Sequence, residues 1–141
     1  MRRSFKGAAQ ASQLTALLGG STSDTTIYCN DLTNWPDGTG SRPFYIVIDR
    51  GQASEEKILC SSRSGNTLTV YDDGITNGRA ADDTSITAHS SNAVVEHVFT
   101  ATDADEANIH VNTVHTSLYY QTSAPSAVTV GVLWVDSNSE A

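Results

Sequence analysis

The segment PFYIVIDRGQASEEKIL, residues 43–59, limits what this chain can fold into. Two short apolar runs flank a polar stretch rich in turn-forming residues. The first run is aromatic and β-branched, and neither is long enough for a core helix, so they read as two strands of a hairpin. Glu55 and Glu56 stand where the second strand begins. Neighbours on a strand point to opposite faces, so these carboxylates cannot share one substrate. Paired catalytic carboxylates need facing positions on separate elements, and Lys57 can neutralise one of the two. The expectation is a solvated hairpin end rather than a reaction site.

The same pattern of short runs and turn signals recurs along the chain. Residues 25–29 (TTIYC) alternate, with Ile27 and Cys29 on one face. Residues 31–43 carry Asn, Asp, Gly and two prolines and read as a loop, with Trp35 pinning it to the core or to a partner. Strands are expected at 44–49, 55–62 and 67–73, the last two joined by the tight turn Ser64-Gly65-Asn66, which makes a three-stranded antiparallel meander. Residues 74–92 are polar and read as a long surface loop with one short strand near 85–88. A further strand is expected at 93–101. Residues 102–115 read as the one helix, capped by Asp103 or Thr102, with Glu106 at capping-box spacing from Asp103. The tail ends in VTVGVLWV, a strand that returns to the sheet or joins a neighbour's edge. The expected fold is mainly β: a small antiparallel β-sandwich or barrel-like domain with one short helix and extended terminal arms. The expected division is an N-terminal arm over 1–24, a β-rich module over 25–121 and a C-terminal arm over 122–141.

Charge narrows the partners. With 8 basic and 16 acidic residues the formal net charge is −8, which disfavours phosphate backbones, so no nucleic acid partner is expected. No stretch approaches the ~20 apolar residues of a transmembrane helix, and the apolar run near the start is too broken for a secretory leader. Arg2, Arg3 and Lys6 make the N-terminus locally basic, suited to docking an acidic neighbour. The two cysteines, Cys29 and Cys60, are thirty-one positions apart with no CxxC. The spacing leaves a disulfide between them open, and the first reading is two buried thiols of a protein assembled in a reducing cytoplasm.

The residues that could carry chemistry lack the spacing it needs. Glu106 and His110 share a helix face, but a metal would need a third ligand such as His97, and no HExxH stands here. His89 and His115 complete the histidines. Asp72, Asp73, Asp82 and Asp83 lack the EF-hand pattern and read as solvated loop acids. There is no GxSxG, no Walker A loop and no GxGxxG. No catalytic set, cofactor or metal is expected, and the chain reads as a non-enzyme.

Three stretches together resemble a known family: TNWPDGTGSRPFYIVIDRGQASEEKILCSSRSGNTLTV (33–70), GRAADDTSITAHSSNAVVEHVFTA (78–101) and DADEANIHVN (103–112). They are similar to a module of tailed-bacteriophage virion proteins, often found at the start of tail-fibre or minor structural proteins. Its pattern runs W-P-x-G, P-F-x-x-x-I-D-x-G, E-E-K-I-L, a Gly-Asn turn with L-T-V, then R-G-x-D-G-T-x-A-x-x-H and V-x-H-V. GVLWVDSNS near the C-terminus also resembles a segment of phage fibre proteins. Where that pattern has R-G-x-D-G-T, this chain has Arg79-Ala80-Ala81-Asp82-Asp83-Thr84, so a different turn is expected there. The resemblance implies a non-enzymatic virion component, assembled in the host cytoplasm and found on the particle. Because the long shaft of a fibre is missing, a homo-oligomeric capsid decoration or cement protein is the first expectation, touching the major capsid protein. A tail-fibre base or tail adaptor, or a glycan- or receptor-binding module, is the alternative. Arg2, Arg3, Lys6, Trp35 and Trp134 are the expected partner-binding residues.

Overall fold

The computed structural model describes residues 3–115, 119–121 and 134–136, with side chains through residue 109. Six strands form one sheet: β1 (Ser12–Gln13), β2 (Thr26–Tyr28), β3 (Phe44–Ile48), β4 (Glu56–Ser64), β5 (Thr67–Val70) and β6 (Val94–Val98), in the order β1-β6-β3-β4-β5-β2. Every pairing in it is antiparallel. The expected meander is β3-β4-β5, and a register shift between Cys60 and Ser62 marks a β-bulge that bends β4.

The sheet curls until its outer strands meet. Leu14, just after β1, bridges Cys29, just after β2. Thr15 donates its N–H to Tyr28 O and Asn30 donates to Gln13 O, both at 2.9 Å. The result is barrel-like, with a seam in place of two long exposed edges. The mainly β, antiparallel expectation holds in this form.

The period of two along each strand sorts residues between two cores. Phe44, Ile46 and Ile48 of β3 and Ile58 and Cys60 of β4 join Leu14, Leu18, Ile27, Leu32, Trp35, Leu68 and Val95 inside. Tyr45, Val47, Leu59 and Val98 form a second cluster on the outer face, against Tyr71 and Ala81. β3 is therefore buried on both faces, which matches its near-continuous apolar sequence.

Three expectations need correction. The N-terminal arm is shorter than residues 1–24, because β1 belongs to the sheet and Leu14 and Leu18 are 1% and 3% exposed. Residues 85–88 form no strand, and the 74–92 segment is not simply a surface loop. Its Ala81 bridges Lys57, its His89 bridges Leu18, and Leu59 N–H donates to Gly78 O at 2.8 Å, so the segment serves as the second edge partner of early β4. Helix α1 (Ala101–His115) starts one residue earlier than expected and is capped by Thr100. Thr100 N–H donates to Asp103 Oδ2 at 2.9 Å and Asp103 N–H returns a bond to Thr100 Oγ1 at 3.3 Å, a reciprocal capping box.

The chain divides into two compact units, Met1–Asp103 and Ala104–Ala141. In the second, β7 (Tyr119–Gln121) and β8 (Trp134–Asp136) pair in parallel. The tail strand thus pairs with Tyr119–Gln121 rather than with the six-stranded sheet.

Candidate functional site

The residues with the richest polar contacts lie at one end of the barrel, where apolar side chains give way to charge. Glu56 is two residues before Ile58, so the alternation of β4 turns it to the inner face, opposite Ile48 in register. It is fully buried, which corrects the expectation of a solvated hairpin end. Glu55 points elsewhere: its Oε2 accepts from Gly51 N–H and closes the turn before β4.

Glu56 accepts five hydrogen bonds. Oε1 receives Arg79 Nε at 2.7 Å and Ala80 N–H at 3.1 Å. Oε2 receives Arg79 Nη2 at 2.9 Å, Thr87 N–H at 3.1 Å and His89 Nε2 at 3.0 Å. Arg79 grips the carboxylate with both prongs of its fork. Its remaining donors reach the carbonyls of Ser21 and Asp24 through Nη1 (3.1 and 3.2 Å), and of Gly19 and Thr87 through Nη2 (3.1 Å each). His89 stands between two carboxylates, with Nδ1 at 3.0 Å from Asp49 Oδ2. Ser54 Oγ donates to the same Asp49 oxygen at 3.1 Å.

Both nitrogens of His89 lie 3.0 Å from carboxylate oxygens, an arrangement that favours the imidazolium, in which both carry protons. Two anions and two cations then balance. Burial alone would lower the His89 pKa, but its contacts with Glu56 and Asp49 raise it above the ordinary value of 6.5. Burial alone would raise Glu56, yet the bonds from Arg79, His89, Thr87 and Ala80 hold it down to about 2. The set is saturated, and every partner belongs to this fold.

A second, outer set ties the same segment down. Lys57 Nζ pairs with Asp82 Oδ2 at 2.8 Å, and Asp82 Oδ1 accepts Thr102 N–H and Oγ1 at 3.0 and 2.9 Å. Burial opposes the Asp82 charge, but these bonds hold its pKa down to about 2. Lys57 N–H donates to Thr84 Oγ1 at 3.0 Å. Arg79, Asp82, Thr84 and His89 are thus all spent on internal contacts. Ala80 and Asp83 adopt φ of 52° and 63°, the left-handed region that glycine enters without strain. The two residues that stand where the resembling pattern has glycine therefore hold a glycine-type backbone, as does Asp82 between them at φ 56°.

The expected partner-binding residues are placed differently. Trp35 is 2% exposed, and its indole N–H donates to Gln10 O at 2.7 Å. It anchors its own loop to the core and is too buried to meet a partner. Arg3 is also used internally: Nε lies 3.5 Å from Asp103 Oδ1 and the guanidinium sits 5.2 Å above the Tyr45 ring. Lys6 is exposed. Arg2 and the side chain of Trp134 lie outside the described residues, as do the side chains of His110 and His115. Sequence reasoning missed a pair of exposed rings, Phe5 (46%) and Phe99 (65%), with centroids 5.5 Å apart. Phe5, Trp35 and Phe44 surround His97 at 6.0–6.3 Å, and burial lowers the pKa of that histidine.

Cys29 and Cys60 are buried free thiols, as expected. Burial pushes Cys29 up to about 12 and raises Cys60 as well, so neither is a ready nucleophile. Among the described residues, no three His, Cys, Asp or Glu side chains cluster to hold a metal ion. No helix among them is long and apolar enough to cross a membrane. No protein-family model matches the chain, and no curated protein matches it.

Two outcomes follow from this geometry. His89 has a raised pKa in the fold, so its contribution is complete below ~6.5 and is lost as pH rises through the folded value. Glu56 has a lowered one, so its contribution is complete above ~4.5 and is lost as pH falls toward about 2. Denaturant titrations across pH should place maximum stability between those limits, and His89→Gln should flatten the alkaline limb. Ala80→Gly should raise stability by about 0.5–1 kcal/mol by relieving the left-handed backbone, measured as a shift in the urea midpoint at constant slope.

Proposed function

We propose that this protein is a non-enzymatic structural component of a tailed-phage virion, exposed on the particle surface as a capsid decoration protein. One observation carries the reading. Asp49, Glu56, Arg79, Asp82, Thr84 and His89, six residues of the resembling motifs, make their contacts with one another and with the barrel. A motif consumed in this way is a scaffold signature.

In such a role the protein would bind neighbours on a symmetric shell through weak contacts multiplied over many copies. With Trp35 and Arg3 occupied within the fold, the Phe5–Phe99 pair is the ring-on-ring aromatic surface that the described residues offer a neighbouring virion subunit. Rings of this kind suit the centre of a contact patch. Gold labelling of a tag at Ala141 on intact particles, viewed by electron microscopy, tests the location. Label over the head is the expected result. Label confined to the tail vertex would replace decoration by a fibre-base or adaptor role, and unlabelled particles would remove the virion reading.

A further inference from the structure

The seam of the barrel carries a groove that the internal networks leave unused. Two adjoining hollows of about 180 and 300 Å³ share Ala11 and Asp31. Only the larger reaches the lower bound of the ~300–1,000 Å³ typical of small-molecule sites, so the two serve as one shallow groove. One wall is the segment 10–13, entering β1, and the other is the loop 30–35, leaving β2.

The walls are tied together by backbone groups and one indole. Trp35 Nε1 donates to Gln10 O at 2.7 Å, Asp31 N–H to Ser12 Oγ at 3.1 Å, and Asn30 N–H to Gln13 O at 2.9 Å. The groove is therefore built before any ligand arrives. Four residues that carry side-chain amides line it, Gln10, Gln13, Asn30 and Asn34, and all four are exposed. None of these amides is engaged by another described residue. Asp31 uses Oδ1 to accept Thr33 N–H and Oγ1 at 2.8 and 2.7 Å, which lowers its pKa and leaves Oδ2 open.

This lining selects a class of ligand. A primary amide is both donor and acceptor, as is a sugar hydroxyl, so amides pair with hydroxyls in either sense. No Lys or Arg lines the groove, so an anionic group would meet Asp31 without compensation. Ala11, part of Trp35 and the 42%-exposed Val94 add apolar surface beside the amides, a mixed lining suited to a ligand with both hydroxyl and C–H faces. We infer that the seam groove binds a neutral saccharide, with Gln10, Gln13, Asn30 and Asn34 as hydroxyl partners and Asp31 Oδ2 as a charged acceptor. The inference goes beyond the virion reading and does not need it.

The test is a ¹H–¹⁵N titration of the full chain with neutral oligosaccharides (maltohexaose, cellohexaose, triacetylchitotriose and a mannan fragment), with sialyllactose as the anionic comparison. Saturable shifts confined to residues 10–13 and 30–35 are expected, with sialyllactose no better than the neutral probes. Asn34 sits at φ 63°, so Asn34→Gly keeps the backbone conformation while removing the amide. That variant should retain its melting temperature and bind about fivefold or more weaker, the loss of one neutral hydrogen bond. Gln13→Ala, at an exposed position, should behave alike. Absence of saturable shifts with every neutral probe, stronger binding of sialyllactose, or affinity unchanged in both variants would overturn the assignment.

Discussion

The buried ion pair between Glu56 and Arg79 is the interaction on which the rest of this barrel depends. A carboxylate and a guanidinium, both fully buried, are costly to desolvate, and only a complete set of partners makes them tolerable. That requirement organises the chain. Satisfying Glu56 draws in the backbone of Ala80 and Thr87, and satisfying Arg79 draws in the carbonyls of residues 19, 21, 24 and 87. A largely polar segment is thereby fixed over the barrel's end. His89 extends the set to Asp49, at the turn that leaves β3. Removing one member would leave a buried charge uncompensated, so the network holds as a unit or fails as one.

Much of the fold is legible in residue patterns. β3 reads as a strand because FYIVI is aromatic and β-branched throughout, and the Gly65-Asn66 turn sets the β4-β5 hairpin. Ile58 and Cys60 announce an inner face, and the same alternation reaches back to Glu56. What hides the site is its distance in sequence. Arg79 and His89 lie 23 and 33 positions after Glu56, in a stretch whose polarity is that of an ordinary loop. Polar residues signal burial only through partners, and partners this far apart leave no periodic trace. The motif-like string from Arg79 to His89, together with Ile48-Asp49 and Glu56-Lys57-Ile58-Leu59, is the available signal, and it carries a resemblance rather than a contact map. Trp35 was ambiguous for a related reason. A tryptophan in a Pro- and Gly-rich loop suits a core anchor or a partner anchor equally, until its indole N–H is seen on Gln10.

The division of labour along the chain is physical. Charged residues that could have faced a ligand are neutralised inside, whereas the groove at the seam keeps four uncommitted amides on a braced frame.

The central claim is that Glu56 pins the 78–89 segment to the barrel. Native-state hydrogen exchange on the full chain tests it most directly, because the Ala80 and Thr87 amides both donate to that carboxylate. The account predicts that these two amides exchange only on global unfolding, with the same protection as Ile46 in the core strand. Exchange orders of magnitude faster than that of Ile46 would show that the segment opens locally, and that the ion pair does not organise the fold.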